Sequence, residues 1–139
     1  MNDRYNLQRF VDAQKSVYDR VRAELSGGRK TAHWMWFIFP QIRGLGHSAM
    51  ARQYEIASLD EARAYLDHPI LGPRLRECTR LINEVEGRSI HDILGYPDDL
   101  KFRSSMTLFA QATSDNQIFL DALAKYFDGE FDPLTVDRL

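Results

Sequence analysis

A chain of 139 residues fits one ordinary domain and is long enough to bury a core without disulfides or metals. Its 18 basic and 20 acidic residues leave a formal net charge of -2, so a nucleic-acid role is not expected, because such modules show a basic excess or patch. The lone Cys78 excludes an internal disulfide and points to a reducing compartment, and the longest apolar run, Trp34 to Phe39, falls far short of the ~20 residues of a membrane span.

The N-terminal stretch carries charges but lacks the apolar core of a signal peptide, so a cytoplasmic protein with no membrane partner is expected. No repeat, low-complexity tract or linker divides the chain, which reads as a single helical domain over 1–139.

The first predicted helix runs from about Leu7 to Leu25, with Asn6 as N-cap, an apolar stripe of Phe10, Val11, Val17, Tyr18, Val21 and Leu25, and Gly27-Gly28 as its stop. Gln14 falls inside that stripe and is expected at its edge, with the amide in water. The run Trp34-Met35-Trp36-Phe37-Ile38-Phe39 is too short for its period to separate helix from strand. Nothing else in the chain alternates with period two, so a strand here would lack a partner. A short buried helix ending before Pro40 is expected.

Ser48 opens a short helix through about Ile56, and Ser58-Leu59-Asp60-Glu61 has the capping-box pattern of a helix that stops near His68-Pro69. Leu71, Leu75, Cys78, Ile82 and Val85 mark another amphipathic helix closed by Gly87. Ser89 to Leu94 forms one or two turns, Asp98 to Ala112 a longer helix, and Ser114 caps a last helix ended by Gly129. The tail from Glu130 to Leu139 packs or frays. Seven or eight short helices with short connections predict an all-α domain packed around one core.

Two stretches could carry chemistry. In the first, Lys30, His33, Trp34, Trp36, Gln41 and Arg43 precede Gly44-Leu45-Gly46-His47-Ser48. The aromatics alone would make core. The loop adds glycines whose backbone can approach a ligand closely, a helix start at Ser48, and in Arg43 a forked donor suited to phosphate or carboxylate. It lacks the third glycine and preceding strand of a dinucleotide fingerprint.

In the second stretch, Asp98, Lys101 and Ser105 lie on the border of a helix face that buries Phe102, Met106 and Phe109, with Ser104 alongside. A lysine near a serine can activate a hydroxyl if burial lowers its pKa, while an Asp98–Lys101 surface pair is the plainer alternative. His33, His47, His68 and His91 are dispersed and no cysteines pair, so neither a metal nor a cofactor is expected. Cys78 falls in an apolar stripe and reads as a core residue.

The run from His33 to Gln41, followed by Gly44-Leu45-Gly46 and Ser48, then Tyr65-Leu66, His68-Pro69 and Leu71-Gly72, and finally Lys101 with Ser104 to Phe109, resembles a family of small proteins called domain of unknown function 1810. The likeness extends from Phe10 to Gly129. It implies a mainly helical single domain and carries no established activity or catalytic residue. The calpastatin label often attached to the family does not suit this chain, because an inhibitor of that type is a disordered repeat polypeptide and this composition is that of a folded domain.

The function expected from the residues is binding of, or action on, a phosphate-bearing or nucleotide-like small molecule. Lys30, Arg43 and Lys101 would meet the anion, Trp34 or Trp36 would stack on a ring, and His33, Asp98 or Ser105 would handle protons. The alternative is a non-catalytic protein-interaction module. The local cluster Arg74, Arg76 and Arg80 is the sole hint of a nucleic-acid partner.

Overall fold

The computed structural model describes residues 3–139, which contain ten helices and no strand. These are α1 (Gln8–Lys15), α2 (Tyr18–Ser26), α3 (Met35–Ile38), α4 (Ala49–Gln53), α5 (Leu59–Asp67), α6 (Leu71–Glu84), α7 (Ile90–Leu94), α8 (Asp98–Ala112), α9 (Gln117–Phe127) and α10 (Pro133–Val136). The all-α expectation holds. The count exceeds seven or eight because the first predicted helix is two and the tail forms a turn of its own.

The split of the first helix has a packing cause. α1 packs on α3 and α2 packs on α6, so the two halves are held by different partners. Val17 N–H reaches back only three residues, to the Gln14 carbonyl at 3.1 Å, which tightens the last turn of α1 before α2 starts afresh. Asn6 is not the cap. It has a positive φ of 52°, and the Asp3 carboxylate accepts the Leu7 and Gln8 N–H groups at 2.7 and 2.9 Å instead.

Gln14 also departs from expectation. It is 1% exposed, donates to the Phe37 carbonyl at 2.7 Å and the Tyr65 hydroxyl at 3.2 Å, and accepts from Arg74 at 3.3 Å. With its amide fully partnered, a polar residue can occupy the apolar stripe, and it pins the α3 backbone to α1 and α5.

α8 is the central helix. It packs against α5, α7, α9 and α10, and every residue from Ser104 to Ala110 is buried. A helix covered on several sides has no solvent border in its buried half. Phe102 packs edge-on against Phe39 at 5.0 Å, and Phe109 contacts Tyr65 and Phe119, so aromatic contacts tie α8 to the residue that ends α3, to α5 and to α9.

The local stops follow the sequence with three changes. Ser58 Oγ caps the Glu61 N–H at 3.1 Å, but Glu61 reaches back to the Ala57 N–H rather than completing a box with Ser58. The complete capping box is Ser89 with Asp92 at α7. Ser114 does not cap α9: the N-cap position is Asn116, whose side chain donates to the Ala110 carbonyl at 2.7 Å. The tail packs, because Thr107 and Ser104 of α8 hold Asp132 and Arg103 donates to the Glu130 and Phe131 carbonyls.

Candidate functional site

The two stretches singled out in the sequence meet at the first turn of α8. Lys30 Nζ lies 2.8 Å from Asp98 Oδ2, and Lys101 Nζ lies 3.7 Å from Asp98 Oδ1. One carboxylate therefore stands between two ammonium groups. Lys30 is held at its backbone by the Ile93 carbonyl, 2.7 Å away, and its side chain is only 8% exposed. Each ammonium also faces an indole: Lys30 over Trp34 at 5.1 Å and Lys101 over Trp36 at 5.3 Å.

The two tryptophans have different surroundings. Trp34 is 1% exposed, and its Nε1 donates to Glu24 Oε1 at 3.0 Å. Glu24 also accepts the Thr31 and Ala32 N–H groups, the Thr31 hydroxyl and Arg20 Nε. Burial pushes the Glu24 carboxyl upward, but these hydrogen bonds to its charged form outweigh it and hold the group at about 2. Trp34 is thus part of a loop anchored by one carboxylate and offers no ring to a ligand. Trp36 is half-buried and borders a narrow crevice with Lys101 and Gln41, whose volume of about 10 Å³ admits nothing larger than a water. His33 is exposed and, among the described residues, its side chain forms no ion pair or hydrogen bond.

The loop after Pro40 is closed at its base by an isolated parallel bridge between Ile42 and Ile56: Arg43 N–H donates to the Ile56 carbonyl and Ile56 N–H to the Gln41 carbonyl, both at 2.8 Å. Arg9 locks the return segment by donating to the Gln53 and Glu55 carbonyls, each at 2.8 Å, and to Glu61 at 3.1 Å. Gly44 has φ +90°, a conformation that disfavours any Cβ, and its N–H donates to Glu55 Oε2 at 3.3 Å. Ser48 Oγ caps the Ala51 N–H at 3.1 Å. The Gly44 amide and the Ser48 hydroxyl, both expected at a ligand, are therefore engaged within the loop itself.

Two hollows flank this loop and share Gly46. The larger is a cleft of about 430 Å³ between the loop, the N-terminal half of α8 and the tail, lined among others by Gln41, Leu45, Lys101, Ser104, Asp132 and Leu134. Ser104 Oγ donates to Asp132 Oδ2 at 2.9 Å, and Thr135 Oγ1 donates to the same oxygen at 2.6 Å. The apolar lip is open to solvent, with Leu100 52% and Leu134 62% exposed. The second hollow, about 370 Å³, is lined by Arg43, Gly44, His47, Arg52, Glu55 and Arg138 as well as the shared Gly46.

Ser105 lies apart from both. It is fully buried, and its hydroxyl has no hydrogen-bond partner. The border position expected for it does not exist, because helices cover that stretch of α8 on several sides. Cys78 is buried as expected, and burial pushes its thiol up to about 12, far from a reactive thiolate.

Among the predicted residues, then, Lys30, Trp34, Trp36 and Lys101 gather around Asp98. Gln41, Gly46, Lys101 and Ser104 line the cleft, Arg43, Gly44 and Gly46 line the second hollow, and His33, Ser48 and Ser105 stand outside both. Sequence reasoning missed Arg52, Arg138, Asp132, Leu100 and Leu134. The last two carried a signal as apolar residues placed where a helix or tail should face water. The arginines carried none.

The basic cluster on α6 is occupied internally: Arg74 bonds Gln14, Arg76 bonds the Asp115 carbonyl, and Arg80 pairs with Glu84. No three histidine, cysteine or acidic side chains among the described residues come together in a way that could hold a metal. No helix among them is long and apolar enough to cross a membrane.

Comparison with known proteins agrees with this architecture. The crystal structure of the conserved hypothetical protein Rv1873 from Mycobacterium tuberculosis superposes with a TM-score of 0.98 at 60% identity, covering 99% of this chain and 98% of that one. No curated protein matches the chain. The model of the family described as protein of unknown function (DUF1810) matches residues 4–139, beyond the Phe10–Gly129 likeness read from the motifs. A match over nearly the whole sequence, together with the shared fold, places this chain in the DUF1810 family.

Proposed function

We propose that the protein binds an anionic small molecule, phosphate-bearing or nucleotide-like, in the cleft where the 41–47 loop, α8 and the tail meet. The observation that carries the reading is a hollow of about 430 Å³, within the size range of small-molecule sites, that sets a cation and hydrogen-bonding groups under an exposed apolar lip. Lys101 supplies the cation. It shares Asp98 with Lys30, so two ammonium groups face that carboxylate, while the other carboxylate of the cleft, Asp132, is engaged by the Ser104 and Thr135 hydroxyls. Gln41 offers an orienting polar group, and Leu45, Leu100 and Leu134 suit an apolar or ring portion. The buried Ser105 and the outlying His33 favour binding over catalysis. A cytoplasmic location goes with this reading and rests on the lone thiol.

The test is a thermal-shift and calorimetric screen against nucleotides and sugar phosphates. Lys101→Met should weaken a hit about tenfold, the loss of one charge-assisted contact, while Ser105→Ala leaves it unchanged. Silence across the whole panel would remove the proposal.

The exposure of Leu100 and Leu134 around one lip also suits the second reading, a non-catalytic protein-interaction module. A co-eluting partner that is lost in Leu134→Asp, with no small-molecule response, would favour that reading instead.

A further inference from the structure

Ten of the chain's 18 lysines and arginines form ion pairs within the described residues. Arg43, Arg52 and Arg138 form none, and all three line the second hollow. They arrive there from three separate segments: the 41–47 loop, α4 and the tail. Chain proximity brings Arg43 near Arg52 but does not explain the arrival of Arg138. The one carboxylate in the lining, Glu55, accepts the Gly44 N–H, so three guanidinium groups face a single acid already engaged by the backbone. Like charges gathered in a concave surface repel one another and focus a positive potential into it.

The geometry at Gly44 strengthens the case. A Cβ there would lie 2.7 Å from Arg138 Nη1, so the absence of a side chain lets this guanidinium rest on the loop backbone. Forked donors in that position match the oxygens of a phosphoryl group.

From these observations we infer that the second hollow is a phosphoryl-binding subsite held by Arg43, Arg52 and Arg138, with specificity for multiply charged phosphate over a single carboxylate. It adjoins the cleft at Gly46, and in the part that rests on the proposed function it takes the phosphate end of the molecule whose organic part lies against Leu45 and Leu134. The subsite itself needs no organic part. A free inorganic pyrophosphate and the tail of a nucleotide present the same chemistry to it.

The experiment is an amide-resolved NMR titration of the full chain with inorganic pyrophosphate at low salt, with acetate as the carboxylate comparison. Saturable shifts are expected at Gly44 and Gly46. Arg43→Gln and Arg138→Gln should each weaken pyrophosphate about tenfold, and Arg63→Gln, on α5 and outside the lining of the hollow, should leave it unchanged. Gly44→Ala keeps every charge but displaces Arg138, and should weaken binding as well. Leu134→Trp, which fills the cleft, should remove the extra affinity of a nucleotide over pyrophosphate and keep the pyrophosphate response, so failure of the cleft and failure of the subsite are read separately. Absence of saturation at millimolar pyrophosphate, equal affinity for acetate, or wild-type affinity in both arginine variants would overturn the inference.

Discussion

Lys30 and Asp98 form a 2.8 Å ion pair in which the lysine is the more enclosed partner, at 8% against 18% side-chain exposure. The pair joins the loop after α2 to the first turn of α8, and Asp98 has a second cation in Lys101 whereas no other carboxylate pairs with Lys30 among the described residues. The consequences of deleting either partner should therefore be unequal. Asp98→Asn leaves a buried ammonium without its counter-charge and should cost about 2–3 kcal/mol, while Lys30→Met leaves Asp98 paired with Lys101 and should cost about 1 kcal/mol or less. Urea denaturation of the two variants checks the order, and equal losses would contradict it.

Gln14 gives a second prediction. Its amide satisfies the Phe37 carbonyl and the Tyr65 hydroxyl in the interior, and Gln14→Leu keeps the volume but leaves both without a partner. The expected cost is about 2 kcal/mol, seen as a fall in melting midpoint of roughly 6–10 °C. A surface glutamine would move the midpoint by less than a degree or two, so the melt separates the two placements.

The carboxylate of Glu24 sets a pH dependence. Its folded value, about 2, lies below the ordinary 4.5, so the charged form is the one the fold prefers. That stabilisation is complete above 4.5 and fades as pH falls through the interval toward 2. Denaturant titrations should show wild type ahead of Glu24→Gln by about 2–3 kcal/mol at neutral pH, with the difference closing near the bottom of that interval. A gap that stayed constant with pH would mean that Glu24 is not the titrating group. Because Trp34 bonds this carboxylate, its fluorescence should change over the same range.

Gly72 and Gly87 make a paired test of crowding against backbone conformation. A Cβ at Gly72 would collide with the Leu66 carbonyl oxygen where α6 departs from the end of α5, and backbone cannot step aside cheaply. Gly72→Ala should cost about 3 kcal/mol. At Gly87 no atom lies within 4 Å of the added carbon, and only its φ of +72° opposes it, so Gly87→Ala should cost about 1 kcal/mol. Equilibrium unfolding of both variants compares the two mechanisms directly.

Periodicity alone determined most of the elements. The three- and four-residue spacing of Leu71, Leu75, Cys78 and Ile82 marks α6 because burying one stripe is a local property of a helix, and Ser48, Ser58 and Ser89 mark helix starts because a cap bonds an N–H within the same turn. The tryptophan-rich run and the Lys101–Phe109 stretch identified the family for a similar reason, since both are contiguous words. Tertiary structure decided what those words do. The same stripe logic that placed Phe10 inside put Gln14 at the edge, and three partners from other helices drew it in. The same helix that carries Lys101 to a cleft carries Ser105 into a sealed interior, because burial of α8 depends on how many helices cover it. Trp34 and Trp36 sit two residues apart, yet one is closed off by Glu24 and the other borders a crevice. Arg138 reaches Gly44 only because the tail folds back over α8. Long polar side chains act at their tips, several ångströms from the backbone that the pattern specifies, so their partners are chosen by which distant segments meet.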